Sequence, residues 1–209
     1  MRNYLFNLGK NAKKASIEHV SSVKKNQVLR DYIVLIKKNY SKIISENQKD
    51  LKKANDNHLK ENLVKRLILD KKKLLQITDS IKAIVGFNDP VDQILMKWKR
   101  PNGLKIEKKT IPIGVISVIY ESRPNVTSDV ATLCFKSGNP VILKGGSEAY
   151  YSNKILANLF RKALIKNKVN NNYVQFIESK DRKTVDFLLT KMGNYIDVII
   201  PRGGKGLVK

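Results

Sequence analysis

One cysteine in 209 residues, Cys134, excludes an internal disulfide and points to a reducing compartment. Histidine is almost missing as well: His19 and His58 show no metal-ligand spacing, so no metal site is expected and both are expected to face solvent. No apolar run reaches membrane-spanning length. The opening MRNYLFNLGKNAKKAS has neither an apolar core of signal-peptide length nor a clear cleavage site. Export and membrane insertion are therefore not expected, and a cytoplasmic location is. Acid is scarce too, with 18 Asp and Glu against 41 Lys and Arg, a formal net charge of +23.

Such a charge has two readings. One is a binder of nucleic acid or an anionic surface. The other is a compositional bias toward Lys, Asn and Ile spread over solvated faces. NKVNNNY and DKKKLLQITD scatter lysine and asparagine widely, and no basic block is interleaved with stacking aromatics as a nucleic-acid groove requires. The second reading is favoured, and no nucleic-acid partner is expected. The chain is 42% hydrophobic and 28% charged, enough to build a core.

The apolar rhythm changes twice along the chain. Residues 1–96 form an N-terminal helical segment: Val28, Leu29, Tyr32, Ile33, Leu35 and Ile36, then Ile43, Ile44 and Leu51, suit an amphipathic helix. NLVKRLILDKKKLLQITDSIKAIVGF repeats the pattern until Gly86 and Pro90 end it. Residues 97–113 carry turn chemistry at Pro101-Asn102-Gly103 between extended flanks and predict a β-hairpin arm. From Gly114 to residue 209, four short apolar strands (GVISVIY, NPVILKG, NYVQFIES, YIDVIIP) alternate with three helices. Gly138 is placed to stop the first of these helices and Ser147 to cap the second. The fold class is α/β, with a parallel sheet covered on both faces.

Ligands of such sheets bind beyond the carboxyl ends of the strands. Three of those ends are IYESRPN, KGGSEA and PRGGKG. Glycines there allow close backbone approach, helix N-termini offer N–H groups to phosphate, and Lys144 adds a point charge. None of the three has the G-x-G-x-x-G or P-loop spacing, so on the pattern alone cofactor binding and ordinary turn glycines remain open alternatives.

PIGVISVIYESRPNVTSDVATLCFKSGNPVILKGGSEA and YIDVIIPRGGKGL closely resemble the gamma-glutamyl phosphate reductase (glutamate-5-semialdehyde dehydrogenase) family, the proline-biosynthesis branch of the aldehyde dehydrogenase superfamily. The match runs from about residue 100 to 209, and the helical lead-in fits the family. The resemblance implies an aldehyde-dehydrogenase-like, Rossmann-like cofactor domain. It implies reduction of L-glutamyl 5-phosphate by NADPH to glutamate 5-semialdehyde, phosphate and NADP. The family's chemistry forms a thioester on a cysteine thiolate, which hydride then releases as the aldehyde. Glutamate 5-kinase becomes a pathway neighbour, and the hairpin becomes an oligomerisation arm of a homo-oligomer.

Residue by residue, Lys144 matches the lysine that contacts the adenine ribose. Ser147 falls where NAD-preferring relatives carry glutamate, leaving room for a 2′-phosphate provided the charge of Glu148 points elsewhere. Gly203 and Gly204 match the turn under the pyrophosphate. Glu121, Ser122, Arg123 and Asn125 form a signature on the substrate side, where Arg123 either pairs with a substrate anion or braces the turn. The family's catalytic cysteine lies in a downstream domain that is absent from these residues. Cys134 matches a non-nucleophilic family cysteine and reads as core, so no catalytic residue is assigned within the chain. The sequence is expected to be the front portion of a longer protein and inactive alone. Two rivals are an acyl-CoA-reducing or aldehyde-oxidising relative, and a stand-alone basic nucleotide- or nucleic-acid-binding module.

Overall fold

The computed structural model describes residues 2–181 and 183–203. Five helices come first: α1 (Arg2–Ser16), α2 (Ser22–Lys38), α3 (Tyr40–Asp56), α4 (Glu61–Leu67) and α5 (Lys71–Val85). The apolar stripe from Val28 to Leu51 does not make one helix. Asn39 splits it: its backbone N–H bonds the carbonyls of Leu35 and Ile36, and its side-chain amide donates to Leu35 O at 2.7 Å. Asparagine competes with the helix in this way by offering the backbone a local alternative partner. The second helical pattern also divides. Asp70 accepts from Lys73 N at 2.7 Å and restarts the chain as α5.

Next come β1 (Ile94–Lys99) and β2 (Lys105–Lys109), an antiparallel ribbon pairing Trp98 with Ile106 and Lys97 with Glu107. Its turn closes through Gly103 N to Arg100 O at 2.9 Å, with Gly103 at φ +87°. The strand pairing begins at Ile94, three residues before the turn chemistry alone suggested.

The remaining elements alternate: β3 (Ile116–Tyr120), α6 (Asn125–Lys136), β4 (Val141–Gly145), α7 (Tyr150–Lys166), β5 (Val174–Phe176), α8 (Lys183–Lys191) and β6 (Val198–Arg202). The four strands pair in parallel in the order β5-β4-β3-β6. Gly138, at φ +75°, ends α6 as expected, with Gly138 N to Phe135 O and Asn139 N to Cys134 O closing a Schellman turn.

All of β3 and β4 is buried, because both faces of the sheet are covered. Ile116, Val118, Val141 and Leu143 join one core with residues of α2, α5, α6 and α7. Val115, Ile119 and Ile142 join another with Leu5 of α1 and Leu188 of α8. The N-terminal helices thus supply walls to both sides of the sheet. Asp197, just before β6, fastens this assembly: it accepts from Val115 N at 2.7 Å and from Lys13 Nζ of α1 at 2.6 Å.

Ser147 does not cap α7. Residues Ser147–Ala149 form a short 3₁₀ turn ahead of the helix, and the Ser147 hydroxyl donates instead to Glu148 Oε1 at 3.2 Å. The first free N–H groups of α7 are met from α3: Asp50 accepts from Tyr151 N at 3.0 Å, Ser152 N at 2.8 Å and Ser152 Oγ at 2.7 Å. One turn earlier, Asn47 donates to Leu67 O and accepts from Leu69 N, holding the α4–α5 corner to the same place. Asp50→Ala should therefore cost about 2 kcal/mol in urea denaturation, the sum of a lost helix cap and stranded buried donors, with Asp50→Asn recovering part. A loss below about 0.5 kcal/mol would show that the cap carries no weight.

Candidate functional site

Parallel pairing brings the carboxyl ends of the strands to one rim. Tyr120 at the end of β3 is in register with Gly145 of β4 on one side and Arg202 of β6 on the other. The chain leaves β3 toward β4 and later returns to β6 on the opposite side, so the connections diverge between β3 and β6. A crevice at such a switch point is where open α/β sheets hold ligands. Here it is a cavity of about 360 Å³. Glu121, Ser122 and Arg123 line it from the β3 turn, Arg202 and Gly203 from β6, and Arg66 from α4.

The structure thus gathers part of the expected site. Glu121, Ser122, Arg123 and Gly203 share the crevice. Asn125 stands behind them at the start of α6, donating to Asp129 Oδ2 at 3.1 Å. Gly204 lies outside the described residues.

Lys144 and Ser147 belong to the neighbouring turn. Lys144 is 6% exposed and donates to Gly145 O at 3.2 Å. Burial lowers its pKa, while the carboxylates of Glu148 and Asp181 oppose that shift. The two glycines beside it have separate reasons. A Cβ on Gly145 would run into the Asn153 side chain. Asn153 accepts from Thr127 Oγ1 at 2.9 Å, and Thr127 bonds the Tyr120 hydroxyl at 2.7 Å, so a buried polar chain braces β3, α6 and α7 under the rim. A Cβ on Gly146 would crowd the Glu148 carboxylate and lie within 3.5 Å of the Glu121 backbone. The two turns touch there.

The Glu148 carboxylate turns back over Gly146 and accepts from the Ser147 hydroxyl. A neighbouring cation carries no sequence signal: Lys180 Nζ lies 4.4 Å from the Tyr150 ring centroid in the first turn of α7. Arg202 likewise stands out only in the structure, although it sits inside the PRGGKG motif. Arg66 gave no local signal at all.

His19 and His58 are both exposed, and no group of His, Cys, Asp and Glu among the described residues could hold a metal ion. No helix among the described residues is long and apolar enough to cross a membrane.

No family model matches the chain. Over its whole length it is 42% identical to a gamma-glutamyl phosphate reductase of Clostridium tetani, covering 49% of that protein. The crystal structure of the gamma-glutamyl phosphate reductase of Thermotoga maritima superposes with a TM-score of 0.94 at 34% identity, over 98% of this chain and 50% of that one. Similarity to gamma-glutamyl phosphate reductases thus runs along the whole length of this chain. It spans about half the length of the curated relatives it matches. An engineered glycolyl-CoA reductase with bound NADP+ shares the fold at a TM-score of 0.69 and 14% identity, over 97% of this chain and 43% of that one. The reductase names carried by the relatives leave the stand-alone binding-module reading without support.

Cys134 sits in α6 at 8% exposure within the main core. Burial pushes its thiol up to about 12, so at neutral pH it carries a proton and is a poor nucleophile. Native protein should react with iodoacetamide at pH 7.5 far more slowly than denatured protein. Equal rates would place the thiol at the surface.

Proposed function

We propose that the chain is the cofactor-binding portion of an NADPH-dependent gamma-glutamyl phosphate reductase, which converts L-glutamyl 5-phosphate to glutamate 5-semialdehyde and phosphate in proline biosynthesis. The observation that carries the reading is identity above 40% to reductases along the whole chain, joined to a switch-point crevice lined by Glu121, Ser122 and Arg123.

The residues suit a dinucleotide in most respects. Lys144 can donate to ribose hydroxyls, the β6 turn at Gly203 leaves room for backbone approach to a pyrophosphate, and Lys180 brings positive charge near the turn. Glu148 is the exception, since a carboxylate against Ser147 repels a 2′-phosphate. In the NADPH complex its side chain must turn outward, and Ser147 then offers its hydroxyl to the phosphate. When bound, the cofactor supplies hydride. The crevice residues position the substrate: Arg123 and Arg202 hold the acyl phosphate, with Ser122 beside them at its carbonyl end. Cys134 does not supply the thiolate of the reaction, because it is buried in the core.

The β1–β2 ribbon, with Leu95, Met96 and Trp98 exposed, serves as the oligomerisation arm of a homo-oligomer. The cytoplasm is the compartment that suits a lone reduced cysteine.

Two measurements test this. Titrations should show NADPH binding more tightly than NADH. Glu148→Gln should widen that preference several-fold and Ser147→Glu should reverse it, a swing of about tenfold or more for one charge-assisted hydrogen bond made or broken. Co-expression with the C-terminal half of the Clostridium tetani relative should restore NADP- and phosphate-dependent oxidation of glutamate semialdehyde. A well-folded complex without turnover would sink the reading.

A further inference from the structure

A second hollow adjoins the crevice. It encloses about 320 Å³ between α5 and α6, and Arg66 borders both spaces. Its walls carry Gln76 and Ser80 on one side and Asn125 and Asp129 on the other, over an apolar floor that includes Leu69 and Ile77.

The charges are arranged in a definite way. Asp129 Oδ2 accepts one hydrogen bond, from Asn125. Burial raises the pKa of Asp129, and the Asn125 bond and the positive charge of Arg202 only partly offset that. A carboxylate so placed gains from a cation brought into the hollow. Lys73 also lines the space, but its ammonium is committed to the carbonyls of Lys65 and Ile68 at 3.1 and 2.8 Å, where it braces the α4–α5 corner. Arg66 is then the cation that can meet a ligand, and its planar fork matches a carboxylate. An acceptor and a guanidinium in one small cavity, with amide and hydroxyl groups beside them, complement the zwitterionic end of an α-amino acid. Arg123 and Arg202 in the adjoining crevice complement a phosphate.

We propose that the hollow between α5 and α6 is an α-amino-acid subsite, in which Asp129 accepts the ammonium and Arg66 holds the carboxylate of a substrate whose phosphate end lies toward Arg123 and Arg202. The identity of that phosphate end rests on the reductase reading; the subsite itself rests on the cavity and its charges. Selectivity for the amino group is thereby built into α6, and the N-terminal helices contribute a ligand-binding side chain as well as a wall.

The test uses two stable probes that differ only in the amino group, L-2-amino-5-phosphonopentanoate and 5-phosphonopentanoate, titrated calorimetrically into this chain. The aminated probe should bind about tenfold more tightly, as for one charged hydrogen bond worth about 1.4 kcal/mol. Asp129→Asn, nearly isosteric and still able to bond Asn125, should bring the ratio close to one without weakening the probe that lacks nitrogen. Arg66→Gln should weaken both probes, which share the carboxylate. Equal binding of the probes to the unaltered chain, binding of neither, or a preference that survives Asp129→Asn in a variant with an unchanged melting curve would overturn the proposal. NADPH titrated into the same sample separates the two conclusions. A chain that binds NADPH without discriminating the probes keeps the reductase reading and loses the subsite. One that discriminates the probes and ignores NADPH does the reverse.

Discussion

A crossover between parallel strands turns right-handed, and the position of the crevice follows from that constraint. Leaving β3 for β4 and β4 for β5, the chain moves in one direction across the sheet and must lay α6 and α7 on one face. Coming back past β3 to reach β6, it travels the other way and lays α8 on the opposite face, beside α1. The sheet is therefore covered on both sides, and β3 and β4 can be apolar throughout. The turn after β3 and the turn after β6 are left side by side without a helix of the same face closing the gap between them. The polar residues of the β3 turn border a cavity for this topological reason.

The N-terminal helices matter to that cavity through a few buried polar groups. Asp50 and Asn47, one turn apart on α3, bind the start of α7 and the α4–α5 corner together. Through that corner they fix the helix that bears Arg66. Exposed pairs such as Lys65–Glu61 and Lys49–Glu46 are worth at most about 1 kcal/mol and set nothing in place. Most of the excess positive charge is of this solvated kind. Only a small subset of the cations, Arg66, Arg123 and Arg202, is gathered around the crevice.

What the sequence made legible was what depends on near neighbours. Short apolar runs marked β3, β4 and β6, and Gly138 marked the end of α6, because strand burial and a left-handed stop are local requirements. The division at Asn39 is hidden in the sequence because the apolar spacing continues through it, and the backbone and side-chain bonds of Asn39 to the preceding turn show that the helix has stopped. Ser147 looked like a cap because it precedes a helix, yet the groups that need capping face α3. Part of the candidate site could be anticipated from motifs at the strand ends. Arg66 and Asp129 could not, since they are 63 positions apart and meet across one cavity only after α4, α5 and α6 have packed.

The free-standing ribbon has a dynamic consequence. Two strands alone are marginal in water, and every residue of β1 is exposed. Its hydrogen bonds can break one small segment at a time without disturbing either core, whereas those of β3 and β4 open only when the sheet comes apart. The molecule therefore holds two populations of amide proton, one exchanging with solvent at the pace of local fraying and one at the pace of global unfolding. A surface that settles on Leu95, Met96 and Trp98 would move the first group toward the second, so the exchange rates of this single arm report whether it is covered.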